Sequence, residues 1–250
     1  MDISLAAESI FHIGNFPVTN TLLIALAIGA LFFVASLFLK KKLRMVPGGF
    51  QNLIEYIFEA LLDLIDSVTQ NREETKKFFP IVESIFLFII ASNWIELAPG
   101  LGTVGINEVH GGKIVLIPFL RSSSADLNVT LALAIVSVFS IQFMGITAIG
   151  AVKYAKKFFV SPLHKPYMIG TFVGLLELLG EIAKIISFSF RLFGNIFAGE
   201  VLLLVMLNFV PYIVPIPFLM LELFVGFIQA LVFSMLTLVF LKMAVTEAHH

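Results

Sequence analysis

Long apolar runs separated by short polar stretches dominate the pattern of hydrophobic and polar positions along the chain. A helix that crosses the hydrocarbon core of a membrane needs about 20 mostly apolar residues. Five stretches meet this requirement, at about residues 21–39, 78–97, 127–152, 170–207 and 218–243. The pattern therefore predicts an all-α integral membrane protein with five membrane-crossing helices.

A sixth segment, at about residues 50–70, has helical periodicity without being apolar throughout. The acidic residues that share one face of this helix, at helical spacings, are Glu55, Glu59, Asp63 and Asp66. The apolar face is formed by Leu53, Ile57, Leu61, Leu62 and Ile65. We expect an amphipathic helix that lies on the membrane surface or packs on other helices. The alternative is a solvated connector.

The composition agrees with a membrane protein and limits its chemistry. Of 250 residues, 59% are hydrophobic and 13% charged, whereas soluble domains are about 25% charged. The mean hydropathy is +1.01. With no cysteine and a net charge of −1, disulfides and zinc–thiolate sites are excluded and nucleic acid is not expected as a partner. We expect one transmembrane domain over residues 1–250, with no cofactor or metal.

The distribution of lysine and arginine predicts the orientation in the membrane. Cytoplasmic loops carry an excess of these residues. If the N-terminus is outside, every Lys and Arg falls inside except Lys113 and Arg121 in an outer loop and Lys184 and Arg191 within a span. Five crossings then place the C-terminus inside.

The fourth run is too long for an upright span. As a helix, residues 170–207 would extend about 57 Å, whereas the hydrocarbon core is about 30 Å thick. We therefore expect this helix to be strongly tilted or bent, and to form a long hairpin with the last run.

Charges lie in this fourth run where lipid would be expected. They are Glu177, Glu181, Lys184, Arg191 and Glu200. A charge at the centre of a bilayer costs roughly 2.5–3.5 kcal/mol even on lenient scales. These side chains must therefore face protein, water or one another, and such charges mark ion paths.

Helical spacing separates Arg191 from Glu200. Ser187 and Asn195 share the face of Arg191 because each is four residues away. Glu200 is nine residues further on, so it points nearly the opposite way and lies about 13 Å along the axis. Glu200 therefore needs a partner elsewhere in the chain. The candidates, which share a face of the last run, are Glu222 and Gln229.

The other charges allow a simpler interpretation. Glu177, Glu181 and Lys184 can pair among themselves, or they form a solvated helix end. Glu83 lies near the end of the second run and is expected to be wet. Arginine stays protonated and cannot relay a proton, whereas carboxyl groups within membranes can. One permanent cation between two sets of carboxylates favours a gate in a proton route.

The residues around Arg191 resemble the signature of subunit a of F-type ATP synthases, with the bacterial and chloroplast branches nearest. The resembling stretch is SFSFRLFGNIFAGE at residues 187–200. Three further stretches agree in order and spacing, namely NWIELAP at 93–99, SSADLNVT at 123–130 and IQALVF at 228–233. The resemblance covers most of the chain from about Pro47 onward.

This resemblance implies a non-catalytic stator subunit of the ATP synthase complex, beside a rotating ring of c subunits and the b subunits of the peripheral stalk. In that family two offset half-channels load and unload a ring carboxyl with protons, and an arginine separates them. Arg191 corresponds to that arginine. Positions at or near the outer half-channel are Asn93, Glu96, Ser124, Asp126, Asn195, Glu200, Glu222 and Gln229. The inner half-channel is assigned Glu177, Glu181 and Ser187.

Some positions depart from the family pattern and keep alternatives open. Some bacterial members have histidine where Glu222 stands and serine where Gly180 stands. The carboxylates Glu200 and Glu222 raise sodium as a second candidate ion beside the proton. A stand-alone proton channel or secondary transporter is the alternative function, although no internal repeat is found. The expected location is the bacterial plasma (inner) membrane, with the chloroplast thylakoid as the alternative.

Overall fold

The computed structural model describes residues 9–14, 16–95, 97, 105–110, 113–118, 121–158, 169–209 and 214–246. The helices in these ranges are α1 (Asn20–Lys42), α2 (Gly49–Thr69), α3 (Arg72–Ile95), α4 (Leu127–Ile149), α5 (Ala151–Phe158), α6 (Ile169–Phe209) and α7 (Pro215–Thr246). The strands are β1 (Ser9–Ile13), β2 (Phe16–Thr19), β3 (Gly105–His110) and β4 (Lys113–Pro118). A short 3-10 helix, Ser123–Ala125, precedes α4.

Five of the described helices are long and apolar enough to cross a membrane. They are α1, α3, α4, α6 and α7. The predicted fold class, a helical membrane protein with five crossings, is confirmed.

Two helix ends differ from the apolar runs for local reasons. Helix α3 begins at Arg72 rather than near residue 78, because the polar segment before the apolar run is also helical. The third run was expected to continue to residue 152, but α4 ends at Ile149. Gly150 adopts φ +88°, a conformation that other residues rarely take, and the chain then starts α5.

Two antiparallel hairpins were not predicted from the sequence. Strands β1 and β2 precede α1, and β3 and β4 pair within the glycine-rich stretch between α3 and α4. The signal for the second hairpin was present. Residues 105–110 and 113–118 are rich in β-branched residues and flank Gly111-Gly112, which is a typical hairpin connection.

The long fourth run forms a single helix. Helix α6 has 41 residues, which corresponds to about 60 Å, and neither Gly194 nor Gly199 interrupts it. It packs along α7, where the ring of Phe188 lies 4.9 Å from that of Phe233. The length exceeds the thickness of a membrane core about twofold, so the tilt expected from the sequence stays a prediction.

The core lies where α3, α4, α6 and α7 meet. Its largest cluster includes Ile89 of α3, Ala134 of α4, Leu192 of α6 and Phe233 of α7, none more than 1% exposed. Helix α1 contributes little to this core, because it packs mainly through its first residues. Most of the functional side chains described below are therefore carried by these four helices, and Arg121 and Tyr154 are the main exceptions.

Helix α2 lies beside the bundle rather than within it. Of its residues only Ile65 and Thr69 are buried, and Ile65 packs with Phe78 and Val82 of α3. Its opposite end exposes large apolar side chains, including Phe50. An amphipathic helix that exposes apolar side chains beside a membrane bundle fits the interfacial position expected from the sequence.

Candidate functional site

Arg191 lies near the middle of α6 and is exposed within this chain. Its Nη2 is 3.3 Å from Oγ of Ser187, one turn earlier. The neighbouring Leu192 is 1% exposed and faces the core. Among the residues that the structure describes, no carboxylate pairs with Arg191. A cation on the outer surface of a membrane helix needs an acidic or aqueous partner, and the described residues supply no acidic one to Arg191.

Small residues accompany Arg191 on this exposed face of α6. Ala183, Ser187, Gly194 and Ala198 are all exposed, and their spacing places them on the same side of the helix. Small residues allow another membrane helix to approach the backbone closely. We name this surface, with Arg191 at its centre, the Arg191 face.

Glu200 forms a two-pronged ion pair with Arg121, which precedes the 3-10 helix. The Nε of Arg121 lies 2.9 Å from Oε1 of Glu200, and Nη2 lies 2.9 Å from Oε2. The side chains are 8% and 15% exposed, respectively. Such a bidentate pair fixes both groups and partly neutralises the buried carboxylate.

This partner corrects an expectation from the sequence. Glu200 was expected to need a partner on another segment, which is right, but Glu222 and Gln229 were the candidates. Arg121 had been counted only as an outer loop charge. Its position five residues before Asp126, in a stretch with four consecutive polar residues, was the available signal.

Glu222 lies next to Glu200 without pairing with it. The glutamate is 7% exposed, and a Cβ added to Gly199 would lie 2.6 Å from its Oε1. Gly199 therefore leaves the room that the Glu222 carboxyl occupies. Its Oε2 is buried and has no hydrogen-bond partner in the described part of the protein, and it experiences the negative charge of Glu200.

Asn93 and Gln229 extend this polar region toward the Arg191 face. Nδ2 of Asn93 donates to the carbonyl of Gly226 at 3.0 Å, and Nδ2 of Asn195 donates to Oε1 of Gln229 at 2.6 Å. Oδ1 of Asn93 and Nε2 of Gln229 are buried without a partner among the described residues. Buried polar groups are almost always satisfied by protein or water, so this region can bind water. We call Asn93, Arg121, Glu200, Glu222 and Gln229 the outer cluster.

The other predicted outer residues have structural partners or lie outside the described residues. Both carboxylate oxygens of Asp126 accept hydrogen bonds, from the hydroxyl of Thr21 at 2.7 Å and from the amide of Asn128 at 2.8 Å. Asp126 thus caps α4 and fastens the start of α1 to it. Ser124 is 3% exposed in the adjoining 3-10 helix. Glu96 lies outside the described residues.

A cavity of about 190 Å³ lies on the side of Arg191 away from the outer cluster, toward the start of α6. We call it the inner cavity. Its polar lining residues are Tyr154, Glu177, Glu181 and Lys184. Nζ of Lys184 pairs with Oε1 of Glu181 at 2.6 Å, as expected from their spacing, and lies 4.7 Å from the centre of the Phe240 ring. Oε2 of Glu181 is buried and has no hydrogen-bond partner in the described ranges.

An apolar barrier lies between the outer cluster and the inner cavity. Phe188, Leu192 and Ile196 occupy the inward face of α6 between Lys184 and Glu200, and each is at most 2% exposed. Phe233 and Ala230 of α7 and Ala134 of α4 complete this packing. We call these six residues the central block. Close-packed apolar side chains exclude water, so these six residues separate the two polar regions along the inward face of α6 in the described part of the chain.

Glu83 differs from its expected surroundings. It was expected to be wet at a helix end, but α3 extends beyond it on both sides and the residue is 7% exposed. Its Oε1 has no hydrogen-bond partner within the described structure. The six polar residues that begin α3 are the reason, because they shift Glu83 into the middle of the helix.

The comparisons with known proteins agree with this geometry. The chain matches the ATP synthase A chain family over residues 19–242. ATP synthase subunit a of Helicobacter pylori (strain Shi470) is 33% identical over 246 residues, which cover 96% of this chain and 98% of the relative. ATP synthase subunit a of Syntrophobacter fumaroxidans is 35% identical over 216 residues, covering 84% and 77%, respectively. The chain therefore belongs to the family of subunit a, the non-catalytic membrane subunit of the F-type ATP synthase.

Proposed function

We propose that this chain provides two offset half-channels that load and unload a carboxyl group on a ring of c subunits, with Arg191 between them. The observation that carries this proposal is the central block. Two regions able to hold water are separated by close-packed apolar side chains, and an exposed arginine lies at the same height on the other face of α6. A proton that crosses the membrane must then leave the chain and travel on a partner.

The outer cluster is the proposed entry route. Oδ1 of Asn93, Oε2 of Glu222 and Nε2 of Gln229 are buried polar atoms without partners among the described residues, and ordered water would satisfy them. Gln229 is linked to Asn195 on α6, and Asn195 adjoins the Arg191 face. Protons would pass from Glu222 toward Gln229 and Asn195 and so reach the ring. We assign Ser124 and Asp126 to the outer end of this proposed route, and the same role for Glu96, which lies outside the described residues, stays a prediction from the sequence.

Arg191 is the proposed gate. It remains protonated, so it attracts an ionised ring carboxyl and repels a hydronium ion. When the outer route protonates the ring carboxyl, the attraction is lost, and the neutral group can move into lipid. A membrane potential of 100 mV supplies about 2.3 kcal/mol per charge, which biases the direction of this cycle.

The inner cavity is the proposed exit. Glu181 lines this cavity and has a carboxylate oxygen without a hydrogen-bond partner among the described residues. Glu177 lines the same cavity, and Ser187 connects this end of α6 with Arg191. A ring carboxyl that has completed nearly a full turn would release its proton into this cavity.

The proton is the proposed ion rather than sodium. Sodium needs several oxygen ligands around one site. Glu200 already directs both oxygens at Arg121, and a guanidinium repels a metal cation. Glu222 with water exchanges protons more readily than it holds a metal by itself.

The proposed partners are the c ring on the Arg191 face, the b subunits and lipid, in a bacterial plasma membrane with the N-terminus outside. The ring contact can be tested through Gly194, because a Cβ added there lies more than 4 Å from every described residue outside its own stretch of α6. Gly194→Leu should leave the chain folded yet reduce co-purification of the ring. Gly29→Leu on α1, where space is equally open, is the control. Equal recovery of the ring with both variants would refute this docking face.

The central test replaces Arg191 by alanine in vesicles that carry the whole complex. We expect acid-driven ATP synthesis to be abolished while protons leak passively through the complex. Synthesis at the normal rate would refute the role of Arg191. If the chain were instead a self-contained channel or transporter, the purified chain would conduct ions without the c ring.

A further inference from the structure

Tyr154 forms part of the wall of the inner cavity without belonging to the route proposed above. It lies on the short helix α5 and is 5% exposed. Its hydroxyl donates a hydrogen bond to Oε1 of Gln142 on α4. The same tyrosine lines the cavity together with Glu177, Glu181 and Lys184. Tyr154 therefore connects α4 and α5, which lie outside the α6–α7 pair, to the cavity.

Two glycines hold the Tyr154 ring in this place. A Cβ added to Gly145 would lie 2.5 Å from Cε2 of Tyr154, so a larger residue at 145 would displace the ring. Gly150, at φ +88°, makes the turn from α4 into α5. The amide of Tyr154 then donates to the carbonyl of Gly150 at 3.0 Å. The backbone of this corner thus sets the direction of the tyrosine.

Unsatisfied polar atoms indicate that water occupies this region. Oε2 of Glu181 and Nε2 of Gln142 are both buried without a hydrogen-bond partner in the described part of the chain. A cavity of about 190 Å³ has room for several water molecules, each of which needs polar partners. Glu181 and Tyr154 both line the cavity, and Gln142 is hydrogen-bonded to Tyr154.

We propose that Tyr154 is a positioning residue of the proton route, which orients the water of the inner cavity beside Glu181 through its hydrogen bond with Gln142. The proposal rests on the exit function assigned to this cavity. A proton released by the ring enters as hydronium. The Glu181 carboxylate accepts it and returns it to water on the inner side, so no other reactant is consumed. Because the Tyr154 hydroxyl donates its proton to Gln142, its oxygen is able to accept a hydrogen bond from water.

The test uses Tyr154→Phe in the whole complex, because phenylalanine keeps the ring on Gly145 and removes only the hydroxyl. Passive proton flux and ATP-driven pumping are measured in vesicles while the pH is varied on each side separately. Loss of one water-orienting hydrogen bond should reduce flux roughly 3- to 10-fold. The pH profile should change on the inner side only, where the titratable groups that line the cavity with Tyr154, among the described residues, are Glu177, Glu181 and Lys184.

Matched variants separate this role from packing. Tyr56→Phe, at an exposed tyrosine of α2, should leave flux unchanged. Gln142→Leu should reproduce the Tyr154→Phe defect, and the double variant should be no worse than either single one, because both changes break one hydrogen bond. Additive losses, or a Tyr154→Phe profile equal to that of Tyr56→Phe, would overturn the proposal.

Glu181→Gln separates an error in the role of Tyr154 from an error in the exit function of the cavity. If Glu181→Gln lowers flux and Tyr154→Phe does not, only the role of Tyr154 is wrong. If Glu181→Gln has normal flux, the exit function of the cavity is wrong and the role of Tyr154 falls with it. Should Tyr154→Phe fail to assemble, Gln142→Leu alone decides the outcome by the same flux and pH criteria.

Discussion

The guanidinium of Arg121 holds both carboxylate oxygens of Glu200 at 2.9 Å, across 79 positions of sequence. The pair ties the segment before α4 to the outer end of α6. It also partly neutralises the Glu200 carboxylate, which neighbours Glu222. The outer cluster is therefore not simply a pair of carboxylates, and its charge balance depends on a residue from a third segment.

Removing Arg121 should be more harmful than removing the whole ion pair. Arg121→Gln leaves Glu200 as an uncompensated buried charge, which in proteins costs about 3–5 kcal/mol. Arg121→Gln combined with Glu200→Gln should recover much of that stability, as measured by thermal unfolding in detergent. Arg72→Gln, which breaks an exposed pair with Asp66, should cost at most about 1 kcal/mol. A double variant as unstable as Arg121→Gln would contradict this account of the pair.

Gly199→Ala should displace the carboxyl group of Glu222. The added Cβ would lie 2.6 Å from Oε1, so the side chain must move away from its present position. We expect proton-driven ATP synthesis to fall about tenfold, which corresponds to roughly 1.4 kcal/mol, with the complex still assembled. Glu222→Asp in the same chain, which shortens the side chain, should restore part of the activity. Gly29→Ala is the control, and an activity of Gly199→Ala equal to that control would show that the contact is unimportant.

The inner cavity should be wet and the central block dry. Ala244 lines the cavity and Ala134 lies in the central block, and both are buried. Because the chain has no cysteine, Ala244→Cys and Ala134→Cys each introduce a single thiol. Silver ions added on the inner side should block flux through the Ala244→Cys complex and leave Ala134→Cys unaffected. Equal sensitivity of the two would mean that the barrier between the half-channels is misplaced.

Acid should weaken the corner between α2 and α3. The hydrogen bond from Thr75, together with the neighbouring Arg72, lowers the pKa of Asp66 below its usual value, against a smaller opposing effect of burial. A carboxyl with a lowered pKa in the folded state stabilises the fold above its unfolded pKa, near 4, and this contribution is lost as the pH falls through the folded value. Asp66→Asn should therefore be less stable than wild type near neutral pH, and the difference should shrink below about pH 4. A constant difference in unfolding temperature across this range would exclude the linkage.

The apolar pattern was enough to predict five crossings and to single out Arg191 as a charge within one of them. Burial in lipid demands runs of about 20 apolar residues, and a charge in such a run is too costly to be accidental. The pairing of Glu181 with Lys184 also followed from the sequence, because residues three apart on a helix are neighbours. These features depend on composition and on helical spacing within one segment.

The partners that join distant segments were decided only by the tertiary structure. Arg121 reaches Glu200, Gln229 reaches Asn195, and Tyr154 lies on Gly145 because of how the helices pack and how the corner at Gly150 turns. Spacing along a chain carries no information about which helices touch. The separation of the outer cluster from the inner cavity likewise arises only when Phe188, Leu192 and Ile196 meet side chains from α4 and α7, because a barrier to water is a property of close packing and not of any one segment.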